Sequence, residues 1–110
     1  MVWTIGYYSP AVQREILTLP ATLQARYIHL TQRMIVFGAD LGMPHTRAMG
    51  DGLFELRLKG AEGIARVLYC TRVGRRIFML HSFVKKSEKT PPKELAIARR
   101  RMKEIKDADS

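Results

Sequence analysis

Residues 53–86 read LFELRLKGAEGIARVLYCTRVGRRIFMLHSFVKK, and the fold turns on this stretch. Phe54, Leu56 and Leu58 alternate with Glu55, Arg57 and Lys59, the period-2 pattern of a half-buried strand. Gly60-Ala61-Glu62-Gly63 has the glycines of a hairpin turn. Residues 64–71 are β-rich and mostly apolar. Val73-Gly74 is a second turn signal, and residues 76–84 form a third strand.

The turns set the pairing. A four-residue first turn puts Lys59 opposite Ile64 and Arg57 opposite Arg66. A second turn at Val73-Gly74 puts Arg66 opposite His81. One face then carries Phe54, Leu56, Leu58, Ala65, Val67, Tyr69, Phe78, Leu80, Ser82 and Val84 as a core face. The other carries Glu55, Arg57, Lys59, Arg66, His81 and Lys85 among Ile64, Leu68, Cys70, Met79 and Phe83. Two facing arginines repel, and Arg66 sits between apolar neighbours, where an unpaired charge is costly. Either Glu55 neutralises one arginine or the face holds an anion such as phosphate, which the guanidinium fork grips bidentately.

Working outward, residues 2–8 read as an opening strand. Ser9-Pro10 has the form of a helix cap followed by proline at the first helical position, opening a short helix over 11–19 with Val12, Ile16 and Leu19 on one side. A second helix runs over 21–37, with Leu23, Tyr27, Leu30, Met34 and Phe37 as its apolar stripe and Gly38 as its stop. The two form a hairpin suited to covering the sheet. Residues 39–52, rich in glycine and proline, read as a loop carrying His45 and Arg47. A lone loop histidine is usually just solvated. Thr90 and Pro91 signal the start of a last helix, with Leu95, Ala98, Met102 and Ile105 as its apolar stripe. From Lys85 to Lys106 there are nine basic and three acidic residues, so the charge concentrates near this end and a basic surface continuous with the sheet is expected.

The chain has 110 residues, with net charge +9 and 46% apolar residues. That fits a single domain over 1–110 with a real core and an acidic partner such as nucleic acid. The single cysteine, Cys70, excludes an internal disulfide and reads as a small buried hydrophobe. No stretch has the form of a signal peptide or approaches the roughly 20 apolar residues of a membrane span. A cytoplasmic location is expected. Ligand spacings for a metal, a phosphate loop and a serine elbow are all missing.

What remains is a surface of arginine, lysine and histidine, which suits metal-free cleavage of RNA. The ribose 2′-hydroxyl attacks the adjacent phosphate, and Arg57 and Arg66 supply fixed cations for the charge that builds there. His81 titrates near neutrality and can take or give the proton. A lysine crowded by cations releases its proton more readily, so Lys59 or Lys85 can also serve.

The segments GLFELRLKG, GIARVLY and HSFVKKSEKTPPKELAIARRRMKE resemble RelE-superfamily toxins, closest to the HigB-like, phage-derived branch. The resemblance spans nearly the whole chain. It implies an α+β, RelE-like fold: a small, mostly antiparallel sheet in the order strand-helix-helix-strand-strand-strand-helix. A helical hairpin lies on one face, with a basic C-terminal helix. It further implies the toxin of a type II toxin–antitoxin system, a ribosome-dependent mRNA endonuclease (mRNA interferase) needing no cofactor. Its partners would be the ribosome, mRNA and a HigA-like helix-turn-helix antitoxin, with operator DNA met only through the antitoxin. The family's cleavage residues fall by motif on Arg57, Lys59, Arg66 and the Lys85-Lys86 pair; His81 is added from pairing geometry. Arg47, Lys86, Lys89, Arg99, Arg100 and Lys103 are the candidate RNA and ribosome contacts. Two other readings remain open. One is a non-catalytic basic module that binds nucleic acid or an antitoxin through its last helix. The other is a structural protein in which Glu55 merely pairs the arginines.

Overall fold

A computed structural model describes residues 2–85 and 89–109. The chain runs β1 (Thr4–Tyr7), α1 (Pro10–Leu17), α2 (Ala21–Phe37), β2 (Thr46–Gly50), β3 (Leu53–Gly60), β4 (Gly63–Arg72), β5 (Arg76–Val84) and α3 (Pro92–Asp109). The five strands form one sheet in the order β1-β5-β4-β3-β2, with only the β1–β5 pair parallel. The fold is α+β and compatible with a RelE-like arrangement.

The β3–β4 hairpin has the expected register: Arg57 pairs Arg66, Lys59 pairs Ile64, and Gly60 pairs Gly63. Ser9 caps α1 by accepting a hydrogen bond from the Val12 amide at 3.2 Å, with Pro10 opening the helix. The hairpin α1–α2 buries Val12, Ile16, Leu23, Tyr27, Leu30 and Met34 against Leu56, Leu58, Ala65, Val67 and Tyr69 of the sheet. On the opposite face α3 packs Ala98 and Met102 against Leu53, Leu68, Cys70 and Leu80, with Leu95 and Ile105 at the margin. A sheet covered on both faces needs apolar residues at successive positions, which explains the unbroken burial of residues 65–70 in β4.

Five expectations are corrected. Residues 39–52 are not all loop. Residues 46–50 form β2, antiparallel to the edge of β3 with Arg47 opposite Glu55. Arg66 faces Phe83, not His81, which faces Leu68. The β4–β5 turn includes Arg75 with φ of 58°, and Arg72 pairs Arg76. An irregularity opposite Leu68 and Tyr69 then inserts one extra residue in β5, as a bulge does. Before it, Ile77 and Met79 join the hairpin-side core, while Phe78 and Leu80 serve the α3 side. The expected placement of Phe78, Leu80 and Met79 is therefore reversed. Phe37, at the end of the α2 stripe, is 73% exposed and lies outside the core. Finally, the Thr90 hydroxyl does not cap α3. It reaches the Glu55 carboxylate, and α3 starts at Pro92.

Candidate functional site

Helix α3 covers only part of its face of the sheet. At the end where β3 turns into β4, Arg57, Lys59, Ile64 and Arg66 remain outside its apolar contact. Strand pairing puts Arg57 and Arg66 side by side, and Glu55 resolves half of their conflict. Its Oε1 lies 3.1 Å from Arg66 Nε, and both side chains are only 3% exposed. The other carboxylate oxygen, Oε2, accepts the Thr90 hydroxyl. Breaking a buried pair from either side strands a charge in a poorly solvated place, so Arg66 is held in a fixed position. Arg57 is half-buried, and its side chain makes no ion pair among the described residues.

These side chains line a pocket of about 310 Å³, together with Arg26 of α2 and with Pro44 and His45, which precede β2. Lys59 is exposed at this rim. The Arg57 amide donates to the His45 carbonyl at 2.9 Å, extending the β2–β3 ladder by one step. The His45 imidazole is held below the ordinary histidine pKa. Desolvation is the first cause, followed by the positive fields of Arg33, Arg26 and His29 on α2. Its neutral, proton-accepting form therefore dominates at neutral pH. The pocket thus joins a neutral imidazole to three guanidinium groups and an ammonium group, the charge pattern that holds a phosphate diester.

The other sequence candidates are dispersed. His81 does not line the pocket: its Nε2 lies 3.3 Å from Glu94 Oε1 on the first turn of α3, and its ring stacks on Phe83. Lys85 continues β5 past its end, its amide donating to the Ile64 carbonyl at 2.7 Å, next to the pocket. Lys86 lies outside the described residues. Arg47 on β2 and Lys89 before α3 are exposed.

The basic helix is less open than its sequence implies. Arg99 donates to the Met49 carbonyl at 2.9 Å and Lys106 to the Asp51 carbonyl at 3.2 Å. Arg101 donates to the Leu80 carbonyl at 2.8 Å and lies over the Tyr8 ring. These cations fasten α3 to the sheet. Arg100 is exposed, and Lys103 reaches Asp107 at 3.0 Å along the helix.

Of the pocket residues, the sequence did not single out Arg26, and it offered His45 as a loop histidine, more often solvated than functional. Arg26 sits on the polar side of an amphipathic helix, where cations are ordinary. The place of His45 beside Arg57 becomes visible only once β2 is known to pair with β3.

A model of the family described as phage-derived protein, Gp49-like (DUF891), matches residues 14–103. No curated protein matches the chain.

Proposed function

The chain belongs to the phage-derived Gp49-like family, a toxin-like family related to the RelE and HigB toxins, and on that premise we propose that it is the toxin of a type II toxin–antitoxin pair that cuts mRNA on the ribosome. The observation that carries the reading is the pocket in which Arg26, Arg57, Lys59 and Arg66 converge. Cleavage by the 2′-hydroxyl loads negative charge onto the phosphate as the transition state forms. Cations fixed beforehand stabilise that charge without having to reorganise. Arg66 is fixed by Glu55, and Arg57 and Lys59 stand on the same strand two residues apart, so both project toward the same side. The partner that restrains such a toxin is a HigA-like helix-turn-helix antitoxin.

Primer extension on mRNA after brief induction in cells tests the proposal. New 5′ ends inside translated codons are expected, lost when translation is blocked and lost in Arg57→Ala. Arg57 suits the test because it lies outside the buried ion pair. A wild-type protein that arrests growth without new ends refutes the nuclease reading. That outcome favours a non-catalytic binding module, for which the exposed Arg100 of α3 is the motive. Such a module binds RNA with a steep salt dependence set by the number of phosphates it neutralises.

A further inference from the structure

Building on the nuclease reading, we propose that the His45 imidazole is the catalytic base of this pocket, taking the proton from the ribose 2′-hydroxyl. The first argument is one of chemistry. Among the side chains that line the pocket, Arg26, Arg57 and Arg66 carry no acceptor atom, and a lysine ammonium has none either. Pro44 and Ile64 are apolar. His45 alone in that set offers a nitrogen lone pair.

The second argument is positional. His45 precedes a strand, yet its backbone is tied down on both sides. Its amide and that of Thr46 both donate to the Gly42 carbonyl at 3.0 Å, and its carbonyl accepts from Arg57. The adjacent Thr46 is buried, its hydroxyl donating to Asp40 at 3.0 Å. The imidazole is therefore presented from a fixed backbone, as proton transfer in a set geometry requires.

The third argument is electrostatic. The positive fields of Arg33, Arg26 and His29 reach His45 from α2, and Arg57 and Lys59 of β3 and Arg66 of β4 line the same pocket. Among the described residues, no carboxylate lines the pocket to hold a proton on the ring.

The step balances as follows. The 2′-oxygen forms a bond to phosphorus as its O–H bond breaks and the proton passes to His45. The bond from phosphorus to the 5′-oxygen breaks, and that oxygen takes a proton from the Lys59 ammonium. The products are a 2′,3′-cyclic phosphate and a 5′-hydroxyl end. His45 then returns its proton to solvent and Lys59 regains one.

Single-turnover cleavage of mRNA on programmed ribosomes, followed as a function of pH, tests this. A base must be unprotonated, so the wild-type rate should rise with pH through the depressed His45 pKa and then level off. His45→Gln should cut about 10²- to 10⁴-fold more slowly, the usual contribution of a general base. Added imidazole should restore part of the rate to His45→Ala, which a merely structural histidine would not permit. Arg33→Gln, which removes a neighbouring cation from outside the pocket, should move the acid limb to higher pH and leave the plateau in place. Wild-type cutting matched by His45→Gln, or an acid limb unmoved in Arg33→Gln, overturns the assignment of His45 alone. A wild-type protein that does not cut mRNA on ribosomes overturns the nuclease reading and this one with it.

Discussion

Replacing Arg66 with alanine should unfold the protein more readily than it should reveal anything about RNA. Arg66 and Glu55 are each 3% exposed and lie 3.1 Å apart, so truncating the arginine leaves a carboxylate in the interior with the Thr90 hydroxyl as its remaining side-chain hydrogen bond among the described residues. Removing one partner of a buried pair costs about 3–5 kcal/mol. A domain of this size has about 5–15 kcal/mol in total, so a large part of its stability is at stake. With a urea slope of about 2 kcal/mol per molar, the unfolding midpoint should fall by about 2 M. The double variant Arg66→Met, Glu55→Leu removes both charges. It should recover most of the loss, because well-packed apolar replacements of a buried pair are often neutral or better. Urea titrations at neutral pH, followed by circular dichroism on the wild type, Arg66→Ala, Arg66→Met, Glu55→Leu and the double variant, measure the coupling. A loss below about 1 kcal/mol in Arg66→Ala, or a double variant as unstable as the two losses added, would refute the reasoning. Until that is known, a loss of toxicity in Arg66→Ala says little about catalysis, whereas Arg57→Ala can be read directly.

Thr90→Val removes the hydroxyl donated to Glu55 and should cost about 1.5–3 kcal/mol, the range for a hydrogen bond to a charged group, measured by the same titration. Arg101→Ala loses the bond to the Leu80 carbonyl and the contact over Tyr8, a loss of about 1–2 kcal/mol. Arg100→Ala, exposed one residue earlier, should stay within about 0.5 kcal/mol. Burial pushes the Cys70 thiol up to about 11 from an ordinary value of 9.0. The folded state therefore favours the neutral thiol. That contribution is complete below pH 9 and is lost as pH rises through about 11, at up to about 1.4 kcal/mol per pH unit. Urea titrations across this window should show a shallower decline in Cys70→Ala than in the wild type, and equal slopes would contradict the assignment.

The hairpin β3–β4 was legible because Leu56 and Leu58 alternate strictly with charged residues and glycines mark the turn. The facing arginines followed from that register. In the sequence, a Glu55 ion pair is one of two readings, and only the three-dimensional contact selects Arg66 as its partner. Strand β2 was hidden because Thr46-Arg47-Ala48-Met49-Gly50 has a single β-branched residue and no alternation; it is a strand because the edge of β3 offers it hydrogen bonds. The extra residue in β5 was hidden as well. The second turn takes Arg75 as a third residue, so Arg72 pairs Arg76 and every side assigned from that turn up to residue 80 was inverted, until the extra residue restored the expected sides beyond it. The basic helix misled in a different way. Arginines such as Arg99 and Arg101 look solvated in sequence, yet their long stems let them reach back to backbone carbonyls on strands. His45 was visible as a loop histidine, but its place beside Arg57 depends on β2 pairing with β3.

The parallel pairing of β1 with β5 has a consequence for the order in which the chain can be made functional. Thr4 finds its partner only in Arg76, so β1 leaves the ribosome well before the strand it pairs with. Until β5 emerges, the helical hairpin has only an incomplete sheet on which to bury Val12 and Ile16, and pairings so distant in sequence are slow to close. Thr90, which secures Glu55, emerges later still, and α3 follows it. A nascent chain stopped short of β5 therefore lacks a finished sheet, and the ion pair beside the pocket is secured only after Thr90 has been made.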